Sequence, residues 1–315
     1  MTRSTANPVS KRKGIYTKQL VFVWVCIIPV TLVFLAFSYL PILNTLYGSL
    51  NNWNALSGRM TFVGIKNYVD LLTDDLRIGL IFRNTLYLTI GSVSVKTVIA
   101  LLLALCVNSI IKGRDFFRMV FFIPSICSML ATSFVFRFLF QPDLGTINGY
   151  LYSLGFSTVP GWLQSPTTAM ITVIIFTIWK DLGYVFLILL AGLQGIPIDV
   201  IEAGIIDGAG AFKRAWSIIL PLLRPVTAYV VATQIIGSLQ IYTSIVGLTT
   251  STQVTGSAGI GGPAYSTTTA AVYIYQKAFG DYLFGYGSAI ALLLFLVIMF
   301  FTIIQLKLQK STEDF

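Results

Sequence analysis

Residues 170–193 read MITVIIFTIWKDLGYVFLILLAGL, and this stretch sets the expected class of fold. Lys180 and Asp181 are its only charged residues, and they stand side by side at its centre. An α-helix needs about 20 mostly apolar residues to cross the hydrocarbon core of a membrane. The stretch meets that requirement and therefore predicts a membrane-spanning helix.

Five further stretches have similar length and apolar character. They are Leu20–Leu40, Thr85–Val107, Met119–Phe140, Val226–Leu248 and Leu283–Ile304. Hydrophobic residues make up 56% of the chain and charged residues only 10%, whereas a soluble domain carries about 25% charged residues. We therefore expect an all-α, multi-pass protein of the cell membrane, with six transmembrane helices in a single membrane domain.

Basic residues are concentrated in alternate connections between these stretches. They lie before the first, between the second and third, between the fourth and fifth, and after the last: Arg3, Lys11, Arg12, Lys13, Lys18, Lys112, Arg114, Arg118, Lys213, Arg214, Arg224, Lys307 and Lys310. Positively charged connections stay on the cytoplasmic side. Both termini are therefore expected to be cytoplasmic, with an arm over 1–18, the six-span domain over 19–306 and a tail over 307–315.

The other connections, 41–84, 141–169 and 249–282, are expected on the outer face. The first is predicted to contain a short surface helix around Val69–Leu72. The last is rich in Ser, Thr and Gly from Thr249 to Thr269, which indicates a solvated loop. The basic start of the chain resembles a signal peptide, but the apolar run is too long and no small-residue cleavage site follows, so we expect a permanent helix.

Several classes of chemistry lack their usual residues in this sequence. There is no His, the usual general base near neutral pH. Cys26, Cys106 and Cys127 are isolated in apolar segments, without the spacing of a disulfide framework or a metal site. The net charge of +9 is spread between apolar blocks rather than gathered on a polar face, so we expect no nucleic-acid partner.

The connection over 197–225 carries the most specific pattern. Pro197 suits the first turn of a helix, and Ile198, Ile201 and Ile205 form an apolar stripe along it. Glycines at 208 and 210 allow a turn, a second short helix is predicted over Ala211–Ile219, and Pro221 marks the return to the membrane. Such a helix–turn–helix could sit in a groove on another protein or lie on lipid headgroups. Its acids, Asp199, Glu202 and Asp207, favour the protein groove, because an anionic inner leaflet prefers basic faces.

These residues resemble a known family. Glu202-Ala203-Gly204, Asp207-Gly208-Ala209, Ile218 and Leu220-Pro221 are similar to the EAA loop of ABC importer permeases. Gly204 and Ala215 depart from its usual residues, and Phe212 and Trp216 flank the second departure. The resemblance implies that the loop is a coupling helix docked on a cytoplasmic ATPase subunit. The coupling residues it implies are Glu202, Ala203, Gly204, Asp207, Gly208, Ala209, Phe212 and Trp216.

Further similarities cover nearly the whole chain and point to the carbohydrate-importing branch, similar to maltose, multiple-sugar and glycerol-phosphate permeases. They include Phe62-Val63-Gly64, Asn84-Thr85-Leu86, Phe122-Ile123-Pro124, Gly261-Gly262-Pro263 and Gly285-Tyr286-Gly287. A stretch from Thr250 to Ile260 is expected to be an external insertion that either meets the binding protein or is neutral.

The resemblance implies a set of partners. They are a second permease subunit, two ATP-binding subunits and an extracytoplasmic binding protein that delivers a sugar or oligosaccharide. The chain has no G-x-x-x-x-G-K-[S/T] phosphate loop. We therefore expect no cofactor and no enzymatic activity in this chain, with ATP and magnesium handled by the partner.

Polar residues inside the spans are candidates for the substrate pathway. Lys180 and Asp181 either face the pathway or neutralise each other or neighbouring helices, and Lys96 and Arg137 lie in similar surroundings. Gln234, Ser238 and Tyr242 recur four residues apart on the fifth stretch. They either bind sugar hydroxyls or bond between helices.

The main rival is an ion-coupled secondary transporter of a small polar solute. Such proteins use midplane acids and internal repeats, whereas Asp181 is the only acid within the six stretches and no repeat is evident.

Overall fold

Helices form most of the chain in the computed structural model, which describes residues 8–109, 113–143, 145–250 and 260–313. Four helices are long and apolar enough to cross a membrane: Gln19–Ser49, Ile78–Ser109, Ala169–Gln194 and Phe284–Lys307. Two pairs of helices pass the same test together but are bent by 93° and 67°. The described residues thus contain four candidate spans, or up to six if each bent pair is one span.

The first span is a continuous helix that packs against the rest of the chain only near its C-terminal end. It consists of α1 (Pro8–Phe34), a π-helical turn (Leu35–Tyr39) and α2 (Leu40–Ser49). Its side chains from position 19 to 46 are almost all exposed, and burial begins at Gly48 and Ser49. The helix starts within the predicted arm over 1–18, of which residues 1–7 lie outside the described part.

A small hairpin and a surface helix follow. Strands β1 (Asn51–Trp53) and β2 (Met60–Phe62) pair antiparallel, and α3 (Lys66–Thr73) confirms the predicted surface helix. The Asn67 amide joins these pieces by donating to the carbonyls of Ser49, at 2.7 Å, and Asn51, at 2.9 Å. The strands were not predicted, because three residues are too few to show an alternating pattern.

The third predicted span is broken into two helices. After α4 (Ile78–Ser109), which starts before the predicted Thr85, come α5 (Arg114–Ile126) and α6 (Met129–Leu139). The predicted span over Met119–Phe140 is therefore not one continuous helix, since the axes of α5 and α6 meet at 93°. Pro124 lacks the N–H that would continue the hydrogen-bond ladder, and the chain is extended at Cys127.

Helix α7 (Thr146–Ser153) leads to α8 (Ala169–Gln194), which runs parallel to α4. Gly91 of α4 faces Ile174 of α8, and Lys96 faces Asp181. On the other side of α8, a Cβ atom at Gly183 would lie 2.0 Å from the carbonyl oxygen of Phe121. Only glycine therefore allows α5 to cross α8 at this distance.

The 197–225 loop is helical for most of its length. It contains α9 (Ile198–Ile206), α10 (Ala211–Arg214), a π-helical turn (Ala215–Ile219) and α11 (Leu220–Leu222). The predicted second short helix is thus confirmed and extended to Leu222. It meets α12 (Arg224–Leu239) at 67°.

The fifth predicted span is also discontinuous. Helix α12 ends at Leu239, and α13 (Thr243–Thr249) begins after a short break, so the prediction of one helix over Val226–Leu248 is wrong. The backbone at Tyr242 is not helical, with φ −130° and ψ −57°. The Thr269 hydroxyl donates to the Ile241 carbonyl at 3.1 Å, so another part of the chain satisfies a backbone group at the break.

The last part of the chain returns to the bundle. A short 3-10 turn (Pro263–Tyr265), α14 (Ala270–Tyr275) and a π-helical turn (Gln276–Gly280) precede α15 (Phe284–Glu313), which continues into the predicted tail over 307–315. The prediction of a solvated loop over Thr249–Thr269 is wrong at Thr267, Thr268 and Thr269, which are fully buried. Most of the predicted insertion Thr250–Ile260, residues 251–259, lies outside the described part.

Candidate functional site

An open cavity of about 380 Å³ lies on one side of the bundle, where the α5–α6 break faces α8 and α12. Asp181 is the one ionisable acid or base other than tyrosine on its wall. The wall combines hydroxyl and amide groups with aromatic and aliphatic side chains: Phe122, Ser125, Ile126, Met129, Thr177, Asp181, Tyr184, Gln234, Gly237, Ser238 and Ile241. Neutral donors and acceptors beside apolar faces suit a polyhydroxylated ligand.

Asp181 is held by a lysine from the neighbouring helix. Lys96 Nζ lies 3.4 Å from Asp181 Oδ2, and the lysine side chain is fully buried while that of Asp181 is 33% exposed. The sequence left open whether Asp181 pairs with Lys180 or with a neighbouring helix, and the structure shows the second arrangement. Because a buried charge needs a partner, Lys96 and Asp181 stabilise each other while the carboxylate still reaches the cavity.

Lys180 is not a lining residue but supports the cavity wall. Its Nζ donates to the carbonyl of Ser125 at 3.0 Å, and the Ser125 hydroxyl donates to the Lys180 carbonyl at the same distance. Ser125 is in the last turn of α5, just before the bend. Lys180 therefore satisfies a carbonyl that the broken helix leaves free.

The predicted polar stripe of Gln234, Ser238 and Tyr242 is interrupted because α12 ends at Leu239. Gln234 and Ser238 line the cavity, and Ser238 Oγ lies 3.5 Å from Ser92 Oγ. Tyr242 lies in the break after α12, and its ring packs against Tyr275 with centroids 5.0 Å apart. The structure thus brings Asp181, Gln234 and Ser238 together and places Lys180 and Tyr242 outside the lining.

Eight lining residues were not predicted from the sequence, and four of these are polar or aromatic. Phe122, Ser125, Thr177 and Tyr184 also face the cavity. Thr177, Asp181 and Tyr184 recur at i, i+4 and i+7 on α8, a spacing that would have marked one face once Asp181 was chosen. Phe122 and Ser125 gave no signal, because only the bend after α5 turns them toward the cavity.

The 197–225 loop presents a second candidate site, which is an exposed surface. Ile206 is 84% exposed, Phe212 82% and Trp216 67%. The rings of Phe212 and Trp216 are nearly parallel, with centroids 6.5 Å apart. Glu202 and Asp207 of the same loop are also exposed. Large exposed apolar side chains with acids on the same loop are typical of a protein interaction site.

Gly204 fixes the shape of this loop. It is buried, and a Cβ atom there would lie 2.5 Å from Ile218 Cδ1. The Ala209 N–H donates to the Gly204 carbonyl at 2.9 Å and closes the turn, in which Gly208 has a φ of 73°. The departure at Gly204 thus lets α9 pack closely on the π-helical turn. Ala203 remains exposed and Ala209 half-buried.

A cluster of polar residues lies at the end of the bundle opposite the 197–225 loop. Asp75 accepts hydrogen bonds from the hydroxyls of Tyr273, at 2.5 Å, and Tyr286, at 2.8 Å. Burial alone would raise the pKa of the Asp75 carboxyl, but these bonds outweigh it and hold the pKa below its ordinary value. Burial and the same carboxylate raise the pKa of Tyr273. Lys277, 5.4 Å from the Tyr273 ring, adds a nearby positive charge.

These features define a helical membrane transport component, and comparison with known proteins gives the family. Residues 96–314 match the family model of the binding-protein-dependent transport system inner membrane component. The chain belongs to this family and is a multi-pass membrane protein without enzymatic activity of its own.

Named relatives cover nearly the whole chain. It is 32% identical to the multiple sugar-binding transport system permease protein MsmF of Streptococcus mutans, covering 92% of this chain and 96% of that protein. It is 33% identical to the trehalose/maltose transport system permease protein MalF of Thermococcus litoralis, covering 92% and 94%. A crystal structure of a bacterial ABC transporter that imports alginate has the same fold, with a TM-score of 0.80, 20% identity and coverage of 95% and 99%.

Proposed function

We propose that this chain is a permease subunit of an ATP-driven importer that passes a sugar or oligosaccharide from an extracytoplasmic binding protein into the cytoplasm. The observation that carries the proposal is full-length similarity to sugar permeases, together with a polar cavity at the middle of a spanning helix. In this proposal α5 with α6 forms one span and α12 with α13 forms another, which gives six spans with both termini and the 197–225 loop in the cytoplasm. The proposal also keeps the three predicted segments, which are the cytoplasmic arm over 1–18, the membrane domain over 19–306 and the cytoplasmic tail over 307–315.

The cavity would be this chain's part of the substrate pathway. Asp181 is separated by similar lengths of helix from both ends of α8, which puts the cavity near the middle of the membrane. Gln234 and Ser238 would exchange hydrogen bonds with sugar hydroxyls, and the rings of Phe122 and Tyr184 would cover the apolar faces of the sugar. Lys180 and Tyr242 would act indirectly by shaping the walls.

The 197–225 loop would dock on one of two ATP-binding subunits. Phe212 and Trp216 supply the aromatic faces that dominate protein interfaces, and Glu202 and Asp207 supply acids at the rim. Gly204, Gly208, Ala203 and Ala209 would allow close approach and a tight turn. ATP and magnesium would bind in that partner, and a second permease subunit would complete the pathway.

Reconstitution tests the proposal directly. The chain would be purified with its associated proteins from the native membrane, the partners identified by mass, and the complex placed in liposomes with its binding protein. We expect ATP-dependent uptake of labelled maltose or trehalose, and none without ATP. Uptake that persists without ATP and follows an ion gradient would instead support the secondary transporter.

A matched pair of variants tests the cavity. Gln234→Ala removes an amide from the wall, whereas Gln240→Ala removes an exposed amide six residues later that does not line it. The loss of one hydrogen bond, about 1 kcal/mol, should lower uptake at limiting substrate about fivefold for Gln234→Ala alone. Equal uptake by the two variants would remove Gln234 from the pathway.

A further inference from the structure

A second groove, of about 480 Å³, lies between the N-terminal ends of α4 and α8. None of its lining residues belongs to the cavity or to the 197–225 loop. Arg83 and Tyr87 of α4, Ile171 of α8, and Ser266 from the segment before α14 lie on its walls. The groove therefore needs an explanation of its own.

Arg83 supplies an unpaired positive charge to this groove. It is exposed, and it makes no ion pair or side-chain hydrogen bond with any residue that the structure describes. It lies in the second turn of α4, about 7 Å along the axis from the start of the helix. An arginine near the end of a spanning helix is stabilised by water or by the phosphates of lipid headgroups.

Ser266 adds an unsatisfied hydroxyl. Its Oγ is buried and has no hydrogen-bond partner in the described part of the chain. The preceding residues hold it in place: Ala264 and Tyr265 have φ angles of 52° and 59°. The Asn84 amide donates to the Tyr265 carbonyl at 2.9 Å. A buried hydroxyl without a partner is uncommon, and here it lines the same groove as Arg83.

The rest of the groove is apolar and continues along the helices. Tyr87 is 53% exposed, and Ile171 is 45% exposed. One turn further, Ile90 and Ile175 are also exposed. A polar end with one positive charge therefore adjoins an apolar strip that runs in the direction of the helices.

From this arrangement we propose that the groove binds a phospholipid. Its phosphate would contact the Arg83 guanidinium, beside Ser266, and an acyl chain would lie along Tyr87 and Ile171. A free anion would use the polar end and leave the apolar strip uncovered. The strip continues into the apolar surface of two spanning helices, which favours a lipid over a soluble protein.

Photo-crosslinking in the assembled complex tests this proposal. A photoreactive amino acid replaces Ile171, and the complex is placed in nanodiscs made from equal parts of phosphatidylglycerol and monogalactosyldiacylglycerol, which has no phosphate. The adducts are identified by mass. We expect the phospholipid adduct to exceed the galactolipid adduct about fivefold, the effect of one basic residue on an anionic headgroup.

Substitutions of arginine separate specific binding from general contact with lipid. Arg83→Gln should bring the two adducts to equal amounts, and Arg83→Lys should keep most of the preference. Arg59→Gln is the matched control, because Arg59 is also exposed and unpaired in the described structure but lies off the groove, and it should change nothing. A preference that survives Arg83→Gln, one that inorganic phosphate abolishes, or an adduct with a polypeptide would overturn the proposal.

Discussion

The cavity and the 197–225 loop differ in how far this chain completes them. In the cavity, the buried Lys96 has a counterion in Asp181, and Lys180 satisfies the Ser125 carbonyl. On the loop, large side chains such as Phe212 and Trp216 face outward and are more than half exposed. The charged and polar groups of the cavity walls are thus paired within one chain, whereas the loop leaves large apolar side chains exposed. Substitutions in the two regions should therefore have different consequences.

The largest effect is expected from Asp181→Leu. The substitution leaves the charge of Lys96 fully buried without its counterion, and breaking such a pair costs about 3–5 kcal/mol. We expect a marked loss of thermal stability of the purified complex in detergent.

The double variant Lys96→Met, Asp181→Leu is the control. Replacing both charges with apolar side chains of similar volume should restore most of the stability. Uptake should remain low if Asp181 contacts the substrate. A double variant as unstable as Asp181→Leu would show that the lost pairing is not the cause.

Gly183→Ala tests the packing of the cavity wall. Its Cβ atom would lie 2.0 Å from the Phe121 carbonyl oxygen, and since backbone cannot move aside as a side chain does, the cost should be about 3 kcal/mol. The matched control is Gly79→Ala, also in a helix but with no atom within 4 Å of the added Cβ. Thermal unfolding of both variants measures the difference, and equal stabilities would contradict this close helix crossing.

Trp216→Ala should leave the stability of the chain unchanged and weaken its association with the ATPase subunit. The loss of an exposed aromatic anchor at an interface costs about 2 kcal/mol of binding, equivalent to a roughly 30-fold weaker association with the ATPase subunit. The association is measured with purified components, and thermal unfolding of the chain should stay unchanged.

Two controls bracket this effect. Trp216→Phe keeps an aromatic face and should retain most of the affinity, and Ser217→Ala changes the exposed neighbour and should be neutral. Unaltered association of Trp216→Ala would move the docking surface away from the Phe212–Trp216 pair.

The helices with strong apolar patterns could be predicted from the sequence, whereas the breaks after α5 and after α12 could not. The helices over 170–193 and 283–304 follow from length and composition alone, and the loop helix at 198–206 follows from its apolar stripe. The bend after Pro124 and the break before Tyr242 occur inside apolar runs, where hydropathy gives no signal. Both depend on bonds from distant residues, Lys180 to Ser125 and Thr269 to Ile241.

The prediction of the cavity residues was limited by the same breaks in the helices. Asp181, Gln234 and Ser238 were identified because polar groups within spans are costly and conspicuous. Tyr242 was assigned to the same face on the assumption of a continuous helix, which the break removes. Phe122 and Tyr184 resemble any lipid-facing aromatic residue in the sequence, and only the position of the cavity distinguishes them.

The smallest effect is expected from Asp75→Asn, at the end of the bundle opposite the loop. The tyrosine hydroxyls can still donate to the amide oxygen, but these bonds lose their charge assistance, which should cost about 1 kcal/mol. The pKa of Asp75 lies below its ordinary value. Its contribution to stability is therefore present at neutral pH and is lost as the pH falls below about 4, through the folded-state pKa.

Asp74→Asn is the control for this cluster. Its exposed carboxylate bonds only to the hydroxyl of the neighbouring Thr73 in the described structure. Thermal unfolding between pH 3 and pH 7 should therefore show a smaller acid-dependent loss for Asp75→Asn than for the unmodified chain or Asp74→Asn. Identical pH profiles for all three proteins would mean that the Tyr273 and Tyr286 hydroxyls do not stabilise the Asp75 carboxylate in the folded protein.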